Sequence, residues 1–255
     1  MGKVKIVDLA VATDPEAMEP EKATFKRIYH EEGAEQAAKF FNLKKEDFKD
    51  GLLWANGSVT LGEHTGTHLD APIHYAPMSE GKPSKTIDEI PLEWCYGDGV
   101  VLDFHEKETG YAIMEEDIKN QLKKINYRLK PMDIVLIRTD SDKYLYDERY
   151  FSIHPGMSAE ATRYLCRQGI KVMGIDAWGW DIPFSKAVEK FKATGDNSVL
   201  WEGHLVGKEH EYCHIEKLAN LKELPAYGFK VAAFPVKLKG GTAGWCRPVA
   251  IIEYK

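Results

Sequence analysis

The sequence predicts a mixed α/β fold in a single domain, residues 1–255. Short apolar runs rich in β-branched residues recur along the chain, which is the pattern of buried strands. Amphipathic stretches of helical period lie between several of these runs. The 255 residues suffice for one sizeable core, and no internal repeat, low-complexity segment or linker divides the chain.

Predicted strands and helices alternate over much of the chain. Strands are predicted at 3–12, 99–104, 133–138, 171–176, 231–234 and 249–252, where β-branched residues cluster. Helices are predicted at 20–41, 114–125 and 158–168, the last with Ser158 as N-cap and Gly169 as its stop. Residues 84–92 are predicted as a loop and a short helix. The segment 141–151 suits a loop over a pocket, a loop at a subunit contact or a plain surface loop.

Composition excludes several classes of function. The net charge of −6 argues against nucleic acid or an anionic membrane as the main partner. No apolar run reaches the length of a transmembrane helix, and the first residues lack the apolar core of a signal peptide. The four cysteines are far apart and form no C-x-x-C motif, which predicts reduced thiols in a cytoplasmic protein. Cys213 lies among histidines and is either a core thiol or an extra metal contact.

The stretch 64–74 contains three histidines and one aspartate within eleven residues, namely His64, His68, Asp70 and His74. These are ligand types of a borderline divalent metal. A fully extended strand would separate His64 and His68 by about 13 Å, whereas ligands of one ion each lie roughly 2 Å from it. The segment must therefore fold back, and Gly66 allows this because it adopts positive φ at little cost.

A helix would also place His64 and His68 on one face, but the local sequence disfavours it. Gly66 and two threonines are poor helix formers, and Pro72 is expected to end a helix. We therefore predict a strand that ends in a ligand-bearing loop. The alternative to a metal site is a set of histidines in a polar loop.

A second group of candidate ligands lies at 201–218. This stretch contains three histidines and four glutamates, so composition alone does not choose among them. Three protein ligands would leave a position on the metal for water, as in catalytic zinc sites. A bound divalent metal lowers the pKa of such a water toward 7 and makes hydroxide available for attack on a carbonyl carbon. The chain shows no G-x-S-x-G, P-loop, G-x-G-x-x-G or H-E-x-x-H motif that would indicate other chemistry.

The stretch 64–74 resembles the signature H-x-G-T-H-x-D-x-P-x-H of the putative cyclase family, which includes bacterial kynurenine formamidases and isatin hydrolases. The segments 99–103, 155–161 and 174–176 also fit the family pattern. The resemblance covers most of the chain from about residue 56 onward. It implies a cyclase-like swivelling β/β/α three-layer domain, a small-molecule substrate and a homodimer or homotetramer.

The resemblance also implies roles for the residues of this stretch. Those matching His64, His68 and Asp70 bind one metal ion in the family. The residue matching His74 is not a ligand there but the proposed acid/base. An imidazole near its ordinary pKa can supply the proton that the leaving amine or alkoxide needs.

The late family motif points to His204 and Glu216, which lie twelve residues apart. In the formamidases these two positions bind a second metal together with the residue matching Asp70, which bridges the pair. Isatin hydrolases use one metal and lack the glutamate. Glu216 therefore favours two ions per subunit, Zn or Mn. Lys217 departs from the family pattern, which has asparagine at this position.

Two further groups have no assigned role. His210 and His214 match no family position, and we predict surface histidines. Trp178, Trp180 and Phe184 are interpreted either as aromatic residues that stack on a substrate ring or as packing in the core or at a dimer contact.

The resemblance implies a hydrolase acting on a small aryl amide such as an N-formyl arylamine. A ring-opening hydrolase of a cyclic amide or lactone is the alternative within the same class. A metal-binding module without catalysis is the alternative from another class, and the presence of His74 argues against it.

Overall fold

The computed structural model describes residues 2–254. The chain divides into two compact units, one formed by residues 20–62 and the other by the residues before and after this segment. This division does not test the predicted single domain 1–255, because one domain can contain a smaller compact lobe. Residues 1 and 255 lie outside the described part.

Strands and helices alternate through the described residues. The strands are β1 Lys3–Asp8, β2 Thr24–Ile28, β3 Asn56–Thr60, β4 His68–Asp70, β5 Met78–Ser79, β6 Lys82–Pro83, β7 Tyr96–Asp103, β8 Ala112–Ile113, β9 Ile134–Arg138, β10 Gly156–Met157, β11 Val172–Ile175, β12 Cys213–Glu216, β13 Tyr227–Ala232, β14 Ala243–Trp245 and β15 Val249–Tyr254. The α-helices are α1 His30–Phe41, α2 Pro72–Tyr75, α3 Glu115–Lys124, α4 Ala159–Arg167, α5 Phe184–Thr194 and α6 Glu202–Leu205. Short 3₁₀ turns occur at 87–89, 92–95, 141–144 and 148–151, among other places. None of the helices between residues 2 and 254 is both long and apolar enough to cross a membrane.

The smaller unit, residues 20–62, consists of an antiparallel pair of strands and the helix that connects them. Strand β2 pairs with β3 over its whole length, from Thr24 to Ile28. Helix α1 follows and ends at Asn42, which has a left-handed φ of 54°. The predicted helix 20–41 is therefore wrong in its first half. The β-branched residues at both ends of β2 favour a strand. Its pairing partner β3 begins almost thirty residues later in the chain, after helix α1.

The larger unit is built on a sheet of nine strands in the order β1-β15-β13-β7-β9-β11-β12-β4-β14. Neighbours among β7, β9, β11 and β12 are parallel. The outer strands pair antiparallel with their neighbours. Strand β4, which contains His68 and Asp70, lies between β12 and β14. This order places members of both groups of candidate ligands on adjacent strands, with His68 and Asp70 on β4 and Glu216 on β12.

Alternate residues of the central strands enter two separate cores. In β9, Ile134 and Leu136 belong to one core, and Val135 and Ile137 belong to the other. Helices α3 and α4 cover the second core through residues such as Ile118. Both faces of the central strands are therefore buried, which is why these strands read as continuous apolar runs in the sequence.

The sheet curls on itself, and its two halves share one core. Leu69 of β4 and Ala250 of β15 belong to the same buried cluster although their strands lie far apart in the sheet order. An isolated bridge joins Ala10, just after β1, to Leu218, just after β12. The predicted α/β class is confirmed by this architecture.

Most predicted elements of the larger unit are present with small shifts of their ends. Ser158 caps α4 as predicted, since its Oγ accepts a hydrogen bond of 3.1 Å from the Ala161 N–H. Gly169 follows the helix with a φ of 84°. The sequence analysis missed several shorter elements, among them α5, α6, β12 and β14. Strand β12 is hydrogen-bonded to β11 and β4, and β14 is hydrogen-bonded to β4.

We expect Leu136→Ala to lower the free energy of unfolding by about 2–5 kcal/mol. Leu136 is fully buried in the central strand β9, so truncation removes apolar contacts and leaves a cavity. Urea denaturation followed by circular dichroism measures the effect. Leu92→Ala is the matched control, because Leu92 is 63% exposed and a change there should stay within about 0.5 kcal/mol. Equal losses in the two variants would contradict the prediction.

Candidate metal centre

The register between β4 and β12 places four polar side chains on one face of the sheet. Asp70 lies opposite His214, and His68 lies opposite Glu216. Successive side chains of a strand point to opposite faces, so Leu69 between the two β4 residues packs into the core instead. Two short strands thus supply two imidazoles and two carboxylates to one buried place.

His64 reaches the same place through the predicted turn. Gly66 has a φ of 68°, and the rings of His64 and His68 lie 4.9 Å apart between centroids. The His64 Nδ1 is 2.9 Å from Asp70 Oδ1. The prediction that this segment folds back is confirmed. The turn precedes the strand, however, and Pro72 begins the short helix α2 instead of ending a helix, because proline fits the first helical position.

His204 joins the cluster from helix α6. Its Nε2 lies 3.5 Å from Glu216 Oε1 and 3.9 Å from Asp70 Oδ2. Its Nδ1 makes a short hydrogen bond to Asp181. Burial lowers the pKa of His204, but the Asp181 carboxylate outweighs burial and raises it to about 10. The structure therefore brings His204 and Glu216 together with the early stretch, while their function as ligands stays a prediction.

Several buried polar atoms of the cluster have no hydrogen-bond partner among the described residues. They are His68 Nε2, His214 Nε2 and both carboxylate oxygens of Asp70. Buried polar atoms without a partner are costly. A divalent cation would satisfy all of them at once, and these N and O donors suit Zn or Mn. The donor set therefore fits a metal site.

The electrostatics of the carboxylates support this fit. Burial alone would raise the pKa of Asp70, but the surrounding histidines outweigh it and hold that pKa well below its ordinary value. Burial and Asp70 both raise the pKa of Glu216, yet His204 and His214 keep it well below its ordinary value. Both groups are therefore anions at neutral pH, as metal ligands must be.

The hydrogen bonds around the cluster orient the imidazoles. His68 Nδ1 lies 2.8 Å from the Gly66 carbonyl oxygen, which fixes the proton there and leaves Nε2 facing the carboxylates. His64 Nε2 lies 3.0 Å from Thr242 Oγ1, and the Thr242 hydroxyl donates to Glu63. Such outer partners hold ligand histidines in the required tautomer.

His74 stands beside the cluster on helix α2. Its Nε2 lies 3.8 Å from Asp70 Oδ2, and its ring lies 4.1 Å from the His64 ring. The side chain is 26% exposed, unlike the fully buried His68. Burial, opposed by Asp70, lowers the pKa of His74 to about 4. The predicted ordinary pKa is therefore wrong, and the ring is neutral at pH 7.

Comparison with known proteins identifies the family. The model of the family described as putative cyclase matches residues 7–182. The chain belongs to the putative cyclase family. The matched range includes the stretch 64–74 but not His204 or Glu216.

Curated relatives of this chain are hydrolytic enzymes. The kynurenine formamidase of Erythrobacter litoralis is 29% identical over 193 residues, which cover 76% of this chain and 75% of that protein. The isatin hydrolase of Roseibium aggregatum is 27% identical over 213 residues, or 80% and 77% of the two chains. With this relatedness and the donor cluster described above, the chain is a metal-dependent hydrolase.

A solved isatin hydrolase bound to the product analogue thioisatinate has the same fold as this chain, which confirms the predicted cyclase-like fold. The TM-score is 0.76 at 24% identity, and the match covers 98% of this chain and 93% of the other. At this identity the likeness shows the fold.

The predicted surface position of His214 is wrong. This side chain is fully buried in the cluster, because the missed strand β12 turns it to the same face as Glu216. Cys213 points to the opposite face and packs in the core. It is therefore a core thiol and makes no contact with the cluster. His210 is half-buried and belongs to no donor group found among residues 2–254.

The tryptophans near the candidate metal centre have different environments. Trp180 is fully buried, its indole N–H donates to Thr162 Oγ1, and its ring stacks on His214. Its role is therefore core packing, whereas Phe184 is exposed at the start of α5. Trp201, to which the sequence analysis gave no role, stacks on His204 with centroids 4.3 Å apart and meets the edge of His74 at 5.1 Å.

Lys217, the departure from the family asparagine, is buried beneath the metal-site turn. Its ammonium donates to Glu19 at 2.6 Å and to the His64 carbonyl oxygen at 2.8 Å. Glu19 in turn accepts a hydrogen bond of 2.8 Å from the Gly66 N–H. The Lys217 and Glu19 side chains are almost fully buried, so each charge depends on the opposite charge of its partner for stabilisation. Together they hold the turn that carries His64.

Asp181→Asn should weaken metal binding by about 10–100-fold, the usual effect of losing an outer partner of a ligand histidine. Asp181 accepts from His204 Nδ1 and from the backbone N–H of His204, so it sets both the tautomer and the position of that ring. Calorimetric titration of stripped protein with Zn²⁺ measures the change. Asp196→Asn, at an exposed turn, is the matched control and should bind as the wild type does. An unchanged affinity in Asp181→Asn would contradict the assignment.

Proposed function

We propose that the protein hydrolyses a small aryl amide such as an N-formyl arylamine, with two divalent ions, Zn or Mn, at the cluster. The single observation that carries this proposal is the buried group of unpartnered imidazole nitrogens and carboxylate oxygens beside the half-buried His74. The name of the Erythrobacter litoralis relative supports an N-formyl arylamine as the substrate.

Two sets of ligands share Asp70. The first ion would be held by His64 Nδ1, His68 Nε2 and Asp70, and the second by Asp70, His204 Nε2 and Glu216. The bound ions would polarise the carbonyl group and lower the pKa of water toward 7.

His74 is the group that moves protons in this proposal. Its neutral ring accepts the proton of the attacking water molecule as the new C–O bond forms. It then donates that proton to the nitrogen as the C–N bond breaks, so the products are a carboxylic acid and a free amine. The acid then loses its proton to solvent and becomes a carboxylate. Trp201 packs against the edge of His74 and would hold the ring in place.

A ring-opening hydrolase of a cyclic amide or lactone is the second candidate, favoured by the 27% identity to an isatin hydrolase. In that reaction the leaving nitrogen or oxygen stays attached to the product, and the same proton transfer by His74 applies. A metal-binding module without catalysis is the alternative from another class, and it would give His74 no function.

Turnover of formanilides, isatin and aryl lactones separates the three candidates. Each substrate is tested with stripped protein and with protein loaded with Zn²⁺ or Mn²⁺. Metal-dependent turnover of formanilides supports the first candidate, and preferential turnover of isatin or lactones supports the second. No turnover of any substrate by the metal-loaded protein would contradict both and favour the binding module.

We also propose a cytoplasmic homodimer or homotetramer. The cysteines among the described residues are all free thiols, which suits a reducing compartment. Light scattering coupled to size-exclusion chromatography measures the oligomer directly. A monomeric mass at micromolar concentration would contradict this assembly.

A further inference from the structure

His214 faces two carboxylates from a fully buried position. Its Nε2 lies 3.0 Å from Asp70 Oδ2 and 3.3 Å from Glu216 Oε1. Despite these short distances, the nitrogen makes no hydrogen bond of acceptable geometry with any described residue. A buried imidazole nitrogen aimed between two anionic oxygens needs either a proton or a cation.

The other side of the ring indicates where its proton lies. His214 Nδ1 lies 3.1 Å from the Tyr75 hydroxyl, which also accepts a hydrogen bond of 3.0 Å from the backbone N–H of His214. The same hydroxyl points to the Asp70 carbonyl oxygen at 3.4 Å. If Nδ1 carries the proton, the Tyr75 oxygen accepts two hydrogen bonds and donates one. Nε2 then presents a lone pair to the cluster, as a metal ligand requires.

The ring is held in this orientation before any ligand arrives. It stacks on Trp180 at 5.1 Å and 12°, and on Tyr75 at 5.0 Å and 21°. Trp180 is itself anchored by its hydrogen bond to Thr162. Rotation of His214 would break these contacts, so packing in the core fixes the direction in which Nε2 points.

Four donors converge here within 4.8 Å of one another, one each from Asp70, His204, His214 and Glu216. We infer that His214 Nε2 is a fourth protein ligand of the second ion, an inference that rests on the two-ion site of the proposed function. Four protein donors are the number that fills a tetrahedral structural site, whereas three leave a position open. The two ions therefore differ: the second is enclosed by the protein, and the first, at His64, His68 and Asp70, keeps an open position for substrate or water.

The experiment measures metal content and affinity in wild-type protein and in His214→Phe. Phenylalanine keeps an aromatic ring between the stacking partners and removes the donor. We expect the wild type to bind two ions. In His214→Phe the first ion should bind with unchanged affinity, and the affinity for the second ion should fall at least about 100-fold. That factor is the upper end of the range for losing only an outer partner of a ligand. Elemental analysis and calorimetric titration of stripped protein with Zn²⁺ provide the values. His204→Phe should lose the same ion, and His210→Phe, at a histidine outside the cluster, should bind both.

Each outcome bears on a separate statement. A folded His214→Phe that binds two ions with wild-type affinities overturns the inference and leaves the proposed function intact. A wild type that binds one ion overturns the inference as well, because no separate second site then exists; it also contradicts the two-ion part of the proposed function and leaves the hydrolysis to be tested by turnover. A wild type that binds none contradicts the proposed function itself. If His214→Phe does not fold by circular dichroism, ¹⁵N histidine spectra of wild-type protein with Zn²⁺ decide: the coordination shift of His214 Nε2 supports the inference, and its absence overturns it.

Discussion

Replacing His68 by alanine is expected to remove the metal and the hydrolytic activity together. The His68 Nε2 lies 3.1 Å from Asp70 Oδ1 and 3.7 Å from Glu216 Oε2, so it stands between the two carboxylates. Without the imidazole one ligand is lost, and two buried anions repel each other with less compensation. Because the metal supplies the chemistry, activity should fall by more than about 10⁴-fold, beyond what loss of an acid/base group causes.

Elemental analysis and a hydrolysis assay of the same His68→Ala preparation test this expectation. His105→Ala is the matched control, since His105 is half-exposed and pairs with Asp103 away from the cluster. The control should keep both metal and activity. A His68→Ala protein that loses its metal but hydrolyses the substrate at the wild-type rate would show that the metal is not part of the reaction.

His74→Ala should keep the metal and lower the rate by about 10²–10⁴-fold, the contribution that a positioned acid/base group supplies. Among the histidines nearest the first ion, His74 Nε2 is the farthest from Asp70, at 3.8 Å from Oδ2, whereas His64 Nδ1 and His68 Nε2 lie 2.9 and 3.1 Å from Oδ1. Its partial exposure also allows contact with substrate. The loss should lie mainly in kcat, because proton transfer belongs to the transition state.

Two measurements separate this role from that of a ligand. Added imidazole should restore part of the activity of His74→Ala, because a small base can occupy the space left by the ring. Metal content should equal that of the wild type. If metal content falls as far as in His68→Ala, then His74 is a ligand and the acid/base assignment is wrong. The geometry is compatible with a ligand role for His74, since one donor atom each of His64, Asp70 and His74 lie within 4.8 Å of one another.

Features that depend on neighbours in the sequence were predictable. The return of the chain between His64 and His68 followed from the reach of an extended strand and the freedom of Gly66. Ser158 was recognisable as a helix cap because capping is a local hydrogen bond. The strands around Leu136 were recognisable because they are apolar on both faces.

Features that depend on pairing between distant segments were not predictable. Strand β12 has only four residues, and its status as a strand depends on hydrogen bonds from β4 and β11. When β12 is not known to be a strand, the sequence does not distinguish His214 from the other histidines of a polar stretch. Strand β2 was not predictable for the same reason. Its residues are compatible with either a helix or a strand, and its pairing with β3 is what makes it a strand.

The sequence by itself determined the family, the α/β class and the chemical types of the ligands, because these depend on residue identity and short spacings. Only the tertiary structure decided that His214 is inside the site, that Lys217 and Glu19 hold the His64 turn, and that Trp180 belongs to the core. The physical reason is register: the pairing of Asp70 with His214 across two strands is set by hydrogen bonds between segments more than a hundred residues apart in the chain. A shift of one residue in this pairing would turn His214 and Glu216 to the opposite face of the sheet.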